Sequence, residues 1–581
     1  MSHAKWWPRA LAVLAVWAAA APASAQTDTA AIHGSVTDSS GASVPGAEVV
    51  ATHVDTNFSR SAKSGPDGTY RITALPVGVY RVEASLGGFR TYTRRDITLE
   101  LGRTARVDPV LQVGQLADAV EIVGDAPLVE LANPGLGRVV GNKEVLNLPI
   151  IDRRVYSLLS LVPGVEMNEF EPAGTFGFTE QNVTINGSAR AGIGSVNFLV
   201  DGGSNVSGLR GSANPAPNPD AIQEMKVTTN NFSAEFGRFQ GGVVEIATKS
   251  GTNAFHGSLF EYFRDESFNA REWTAEPVEL DKPPLDRHDF GFTLGGPIKK
   301  DKTFFFVSYA GLRQTQTATR DTAVVPTALE RAGNFSQSAV KPVDPLTGQR
   351  FPGDIIPQSR MDPVSLLLQN GDPGRGFPQW VPLPQSGRRT FFAEEEQPTK
   401  ANEALVKIEQ QLGARQQHRL FASYFYRASQ FDEGLFGNLP YTVRLMTGKQ
   451  HNLVLGHTWS VNASTVNQLR ANYVWAYGGR NHTPDISIVD YGSTYPYQPI
   501  GPEDRYGTLP QIRIDNFFTL QGAIDGPDAG SSFYQIRDTL STFKGRHALK
   551  IGGEVYLERF THNTSLNNYG IFRFDGSKTG N

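Results

Sequence analysis

From Asp28 to Val113 apolar and polar residues alternate in short segments, AIHGSV, AEVVATH, TYRITAL, VYRVEAS and ARVDPVL among them. In VYRVEAS, Tyr80, Val82 and Ala84 share one face and Arg81 and Glu83 the other, the period-two mark of a half-buried strand. Turn chemistry separates the segments at Gly41, Pro45-Gly46, Pro66-Asp67-Gly68, Pro76 to Gly78 and Gly87-Gly88. The pattern over 28–113 predicts a small antiparallel β-sandwich. Asp38 and Asp67 read as turn residues, since no third acid completes a calcium loop.

Over 118–252 the texture changes. Val155, Leu158, Leu159 and Val162 recur at helical spacing behind Asp152, a good N-cap, and Pro163-Gly164 stops the run. Asn218-Pro219-Asp220 predicts a second helix start. MKVTT and VVEIAT predict strands, and a strand such as VVEIAT needs partners within a compact α+β unit.

From 255 to 581 longer segments alternate. In QLRANYVWAY, Leu469, Ala471, Tyr473, Trp475 and Tyr477 oppose Gln468, Arg470 and Asn472; in LKIGGEVYLE, Leu549, Ile551, Gly553, Val555 and Leu557 oppose Lys550, Glu554 and Glu558. Further strands are predicted at 257–263, 289–295, 303–310, 404–410, 419–427 and 452–460. Apolar faces ending in Trp and Tyr predict lipid-facing strands of a transmembrane antiparallel β-barrel. At ~10 residues per strand, this stretch holds roughly 10 to 12 strands. The Pro- and Gly-rich stretch 314–400 predicts a long loop and a candidate ligand-contact surface. The fold class is therefore mainly β: sandwich, α+β unit, then the first part of a barrel.

Composition narrows the function. A net charge of −4 over 581 residues provides no field to gather nucleic acid, so no such partner is expected. With no cysteine, no disulfide framework steadies the chain. Lys5 and Arg9, the apolar run Leu11 to Ala21, and Ala23-Ser24-Ala25 read as a signal peptide over 1–25. The chain lacks H-E-x-x-H, G-x-S-x-G and P-loop motifs. Ser338-Ala339-Val340-Lys341 matches S-x-x-K without its companions, and Gly135-Leu136-Gly137 fails the dinucleotide fingerprint. No enzyme, cofactor or metal site is expected.

Particular runs then carry a resemblance. GSVTDSSGASVPGAEV from Gly34 and DGTYRITALPVGVYRV from Asp67 resemble the carboxypeptidase regulatory-like domain, a transthyretin-like sandwich with no implied peptidase chemistry. VTING from Val183, FLVDGG from Phe198, NPDAIQEMKV from Asn218 and AEFGRFQGGVVEIATK from Ala234 resemble the plug domain of TonB-dependent outer-membrane receptors. NLP (Asn147 to Pro149) and LVPGV (Leu161 to Val165) precede them in the family's order. The candidate plug-motif residues are Asn186, Gly187, Asp201, Gly202, Glu235, Gly237, Gly241 and Gly242. Asn186 stands where many members carry arginine, so that arginine's contacts are not carried over.

DAVEIVGD, 118–125, resembles the TonB box, with Val120, Glu121, Ile122 and Val123 as its candidate core; the plainer reading is a first plug strand. The resemblance, to receptors of the Oar-like or SusC-like variety, implies a Gram-negative outer membrane and a periplasmic front domain. It implies as partners the TonB-ExbB-ExbD complex, outer-membrane lipid, an unknown extracellular ligand and, in the SusC-like variety, a SusD-like lipoprotein. Import driven by the proton-motive force is the implied function, with siderophore, cobalamin, carbohydrate and peptide open as ligands. The alternative is an adhesin or structural protein that keeps the fold without transport. Because such receptors need about twice as many strands, and FRFDGSKTGN is not a terminal aromatic strand, a C-terminally truncated barrel is expected.

Overall fold

The computed structural model describes residues 29–114, 119–123, 136–150, 152–167, 183–188, 195–207, 211–270, 282–319, 322–385, 389–413, 416–433, 437–439, 443–462, 464–483, 486–495, 509–520, 528–544, 547–563 and 570–579. The signal-peptide stretch 1–25 lies outside them.

The first unit contains β1 (Ala30–Ser35), β2 (Thr37–Asp38), β3 (Glu48–His53), β4 (Ser59–Lys63), β5 (Thr69–Leu75), β6 (Gly78–Ser85), β7 (Thr91–Leu99), β8 (Thr104–Arg106), β9 (Val110–Leu111) and β10 (Ala119–Val123). Two sheets, ordered β5-β1-β8 and β10-β7-β6-β3-β4, face each other across one apolar core with Tyr80, Phe58, Ile72 and Leu99 among its fully buried members. The alternation in β6 holds, since Tyr80, Val82 and Ala84 point into this core. Tyr80 donates its hydroxyl to the Pro76 carbonyl at 2.9 Å, so the buried ring keeps a satisfied polar tip. The sandwich is not wholly antiparallel: β1–β8, β2–β9 and β10–β7 pair in parallel. Parallel partners come from strands distant in sequence, which turn signals between neighbouring strands do not report.

The second unit contains β11 (Leu136–Gly141), β12 (Val165–Met167), β13 (Val183–Ile185), β14 (Val196–Val200), β15 (Gly203–Ser204), β16 (Ile222–Asn230) and β17 (Gly242–Thr248). Its five-stranded sheet runs β11-β16-β17-β14-β15, and VVEIAT is a central strand between β16 and β14. Phe198, Ile246, Met225 and Leu159 lie in its separate core. The two expected α-helices are shorter and tighter than predicted. Val155–Leu161 is a 3-10 helix with Arg154 at its N-cap, because Asp152 uses its carboxylate on the Arg154 N–H and the Ser157 hydroxyl, both at 3.1 Å. Pro219–Ala221 is a single 3-10 turn that runs directly into β16.

The third unit is one nine-stranded antiparallel sheet: β18 (His256–Asp265), β19 (Leu285–Lys299), β20 (Thr303–Thr319), β23 (Glu394–Leu412), β24 (His418–Glu433), β25 (Val443–Asn462), β26 (Thr465–Thr483), β29 (Asp528–Lys544) and β30 (His547–Asn563), in that order. It is barrel-like and open, with no pairing of β18 to β30 among the described residues. Among the described residues this sheet has nine strands, against an expectation of roughly ten to twelve for the stretch, and β29 is the one that local alternation does not mark. Connections of a few residues join β19 to β20, β23 to β24, β25 to β26 and β29 to β30 at one end; those at the other end are longer.

The stretch 314–400 is not all loop. β20 and β23 stay paired from Thr303 with Gln410 to Thr319 with Glu394, so the ladder continues after the apolar pattern stops. The remainder folds, with β21 (Ala323–Val324) pairing β22 (Thr390–Phe391) and a helix at Pro363–Asn370. Together with β27 (Gln511–Ile514) and β28 (Phe518–Leu520), the long connections share a core containing Trp380, Leu439, Tyr491 and Leu509, and β31 (Ile571–Phe574) pairs in parallel with β27.

Candidate functional site

Strand periodicity sorts the wall's residues. Leu420, Leu455, Leu469 and Ile536 point outward and are exposed, whereas Lys407, Glu409, Gln450, Asn452, Gln468, Arg470, Asn472 and Arg537 point inward and are buried. A soluble sheet would reverse this, and a lipid-facing wall around a polar interior requires it. Rings concentrate at two levels outside. Trp459 stacks on His418 at 5.6 Å near the short-turn end, and His451 meets Trp475 at 5.2 Å further up. Trp459 and His451 lie on the same strand, roughly 26 Å apart along it at ~3.3 Å per residue, which at the usual ~40° strand tilt is about 20 Å of height, most of an outer-membrane apolar band.

The inner unit meets this wall through a polar seam. Lys407, buried, donates to Asp201 at 3.1 Å and to the Thr248 hydroxyl at 3.2 Å. Asp201 also accepts from the Thr248 N–H at 3.0 Å and hydroxyl at 2.7 Å, which ties the end of β14 to β17. Beside it, Glu409 accepts from Ser250 at 2.6 Å and from both arms of Arg419. A second cluster joins the Asn218 N–H to Glu403 at 2.7 Å, with Arg427 on the other carboxylate oxygen at 3.0 Å. In a third, Arg153 pairs with Asp220 at 2.6 Å while lying 3.7 Å over the Tyr262 ring. Asn205 accepts from Gln450 at 2.9 Å and Asn452 at 3.1 Å, and Arg537 donates to the Gly202 carbonyl at 2.7 Å. Several buried inward-facing atoms, Gln450 Oε1, Gln468 Nε2 and Asn472 Oδ1 among them, have no hydrogen-bond partner among the described residues. Groups of that kind are met by ordered water in folded proteins.

The predicted motif residues divide into three groups. Asp201 and Gly202 sit on the seam. Asn186, Gly187, Gly241 and Gly242 lie around the β13 turn, where Asn186 donates to the Thr229 carbonyl at 2.8 Å. There the backbones approach so closely that a Cβ on Gly241 would fall 2.5 Å from the Ser195 carbonyl, and one on Gly242 2.6 Å from that of Thr228. Glu235 pairs with Lys550 of β30 at 3.0 Å, and Gly237 leads to Arg238, whose guanidinium lies 3.8 Å over Tyr556. Lys407, Glu409, Glu403 and Arg427 were not singled out from sequence. Their signal was available, since each holds an inward phase of its strand.

The candidate box, Val120 to Val123, is not a strand of the inner unit. Ala119–Val123 pairs in parallel with Thr91–Arg95 as the edge strand of the sandwich. The sandwich itself sits at the short-turn end of the wall. Asn57 donates to Asp301 at 2.8 Å, the Ser59 N–H to Gln416 at 3.1 Å, and the Asn253 N–H to the Asp55 carbonyl at 2.9 Å. It also touches the inner unit, where the Leu101 N–H donates to Glu224 and Lys226 donates to the Gly102 carbonyl at 3.4 Å. Burial pushes the Glu224 carboxyl up to about 8, with Glu100 adding to the rise against Leu101 and Lys226.

At the opposite end the long-loop cap is stitched by Trp380, which donates to the Tyr491 hydroxyl at 2.6 Å, and by Arg331, which donates to the carbonyls of Gln369 at 2.8 Å and Val381 at 2.5 Å. The arrangement holds one body inside another.

An inner body in a polar-lined, lipid-facing wall with a small sandwich in front is the architecture of an outer-membrane β-barrel protein. The chain belongs to the outer membrane β-barrel domain family, whose model matches residues 247–581, and the carboxypeptidase regulatory-like domain model matches 31–112. Its place is the Gram-negative outer membrane. Among relatives, the TonB-dependent transporter Oar of Myxococcus xanthus is 31% identical over 284 residues, 46% of this chain and 25% of that protein. The chain thus spans about a quarter of this curated relative. Among solved structures, the outer membrane transporter YddB from Escherichia coli is 12% identical with a TM-score of 0.42, covering 73% of this chain and 47% of that one. The siderophore receptor PirA from Acinetobacter baumannii is 14% identical with a TM-score of 0.39, covering 73% and 48%. Likenesses at that level assign no residue and no ligand.

Proposed function

We propose that the protein is a TonB-dependent transporter that imports an extracellular ligand by movement of its inner unit, which serves as the plug. The observation that carries this reading is the contrast in how the inner unit is held. It has an apolar core of its own, whereas it meets the wall largely through ion pairs and side-chain hydrogen bonds, with one small apolar contact where Ala221 packs on Phe306, Leu405 and Phe425. A body packed this way separates as a whole, because its contacts with the wall exchange for water at small net cost. The long-loop cap is the extracellular ligand face and the sandwich is periplasmic, since barrels of this kind have short periplasmic turns.

In this reading residues 1–25 direct export, and TonB with ExbB and ExbD pulls on Val120 to Val123. Outer-membrane lipid surrounds the wall. A SusD-like lipoprotein, if the ligand is a glycan, closes over the cap, where Leu346 and Ile355 are exposed. No nucleotide site or catalytic group is required, because the energy arrives as force.

The test is growth on a panel of single nutrients by a deletion strain carrying the wild-type gene, a variant with Ala119 to Val123 replaced by a Gly-Ser run, or the wild-type gene without TonB. The account expects the same nutrient to fail in the last two. Unimpaired growth of both on every nutrient that the deletion affects contradicts it.

A further inference from the structure

The front sandwich touches both of the bodies that the transporter reading separates. Its first foot is the turn between β3 and β4, which rests on the wall. Asn57 donates to the Asp301 carboxylate at 2.8 Å, the Asp55 carbonyl accepts from the Asn253 N–H at 2.9 Å, and the Ser59 N–H donates to Gln416 at 3.1 Å. Asp301 lies in the short turn between β19 and β20. Its same carboxylate oxygen accepts the Asn253 side-chain amide at 2.7 Å, and the Asp301 N–H donates back to Asn253 at 2.8 Å.

The segment around Asn253, which joins the inner unit to the wall, is itself fixed. A Cβ on Gly251 would fall 2.3 Å from the Phe305 carbonyl oxygen and 2.6 Å from that of Gly296, so the chain lies directly on the wall there. Two residues earlier the Lys249 N–H donates to the Ala221 carbonyl of the inner unit at 2.8 Å. The boundary between the two bodies therefore falls between Lys249 and Gly251.

The second foot is the turn between β7 and β8, which rests on β16 of the inner unit. The Leu101 N–H donates to Glu224, and Lys226 donates to the Gly102 carbonyl at 3.4 Å. Leu101 is buried although it belongs to a turn and lies outside the sandwich core, and Glu224 and Lys226 are buried with it. Gly102 has a φ of +64°, and a Cβ there would fall 2.6 Å from the Lys226 ammonium, so glycine lets the turn close on β16. Strands β3 and β7 flank β6 in one sheet, and their ladders connect the two feet over a single apolar core.

We propose that the sandwich is a brace, spanning from the wall's short turns to the inner sheet and holding the inner unit seated until one foot lets go. The inference rests on the transporter reading and adds to it a restraint on release. The two feet act in series. Breaking either one frees the inner unit from the brace, and each consists of hydrogen bonds that water can replace.

The test uses the full chain with Ser204→Cys, a buried seam position and the sole thiol, labelled with maleimide in cells with and without TonB. Asn57→Gly with Gln416→Gly weakens the wall foot; both residues have positive φ, 53° and 52°, so glycine removes the side-chain bonds and keeps the backbone conformation. Glu224→Ala weakens the inner foot. The brace predicts that, without TonB, either change speeds labelling by about threefold or more, and that the combined variant gains no more than about twofold over the faster of the two.

No acceleration, or acceleration from one foot alone, overturns the brace. So does a combined effect equal to the product of the two, which independent clamps would give. With the parent labelling in a TonB-dependent way, these outcomes leave the transporter reading standing; a parent that labels equally with and without TonB overturns both. Hydrogen-exchange protection of β14 and β17 reports whether Glu224→Ala disturbs the inner unit itself. If that protection falls, Leu101→Ala loosens the same foot from the sandwich side, and the same outcomes decide.

Discussion

The inner unit has two kinds of boundary. Inside, Phe198, Val227, Val244 and Ile246 pack against one another with almost no exposure. Outside, Asp201, Asn205 and Asn218 reach Lys407, Gln450 and Glu403 of the wall through charged or hydrogen-bonded contacts. Core packing has no equivalent in water, so opening it costs the full transfer and cavity terms, about 3–5 kcal/mol for one phenylalanine truncated to alanine. A hydrogen bond exchanged with water has a net worth of only about 0.5–1.5 kcal/mol. In the proposed mechanism the seam therefore yields under load before the core does.

Four changes sharpen that contrast. Phe198→Ala is expected to destabilise the inner unit by about 4 kcal/mol, read as lost hydrogen-exchange protection across β14, β16 and β17 with the wall strands unaffected. Uniform loss across wall and inner unit would mean that the two form one cooperative body.

Lys407→Met leaves the Asp201 carboxylate buried without its cation and is expected to cost about 3 kcal/mol at the seam. Adding Asp201→Asn should recover most of this. The check is protease sensitivity of the Lys249 to Phe255 junction across the double-mutant cycle; additive losses would contradict coupling.

The pH response isolates the sandwich. Glu224 has an ordinary value of 4.5 and a docked value of about 8, so between these the docked state holds the extra proton and docking weakens as pH rises. Its contribution is complete below about 4.5 and lost above about 8. From pH 7 to 9 the expected loss is about 1.4 kcal/mol. Faster exchange of the Leu101 amide over that range, abolished by Glu224→Gln, is the readout; a flat profile would remove Glu224 from the interface.

The smallest effect is expected from Asn57→Ala, which removes the hydrogen bond to Asp301 and should loosen the sandwich by about 0.5–1 kcal/mol. A change as large as that of Lys407→Met would place the front domain's main anchor on the turn.

Legibility in the sequence followed the range of the interaction. Tyr80, Val82 and Ala84 declare their face within seven residues, so the sandwich and most wall strands were readable from local alternation. β29 was not, because Ser532 and Asp538 interrupt the apolar face that Tyr534, Ile536 and Leu540 share. Asp201 stood out through its motif, but its partner Lys407 lies 206 residues away, and no local pattern records that meeting. For the same reason Val120 to Val123 showed strand propensity without showing its partner. β10 pairs with a sandwich strand, not with the inner sheet that follows it. The ladder above residue 310 was missed because strand pairing continues into Gln314 and Gln316 after the apolar pattern has ended.

The central claim is that the inner unit moves against the wall in a TonB-dependent way. Ser204 is buried on the seam, its N–H donating to Gln535 at 3.3 Å, and a cysteine there would be the chain's sole thiol. Maleimide labelling of Ser204→Cys in energised cells is predicted to proceed with TonB present and to fall at least fivefold without it. Equal labelling in the two strains would contradict the account.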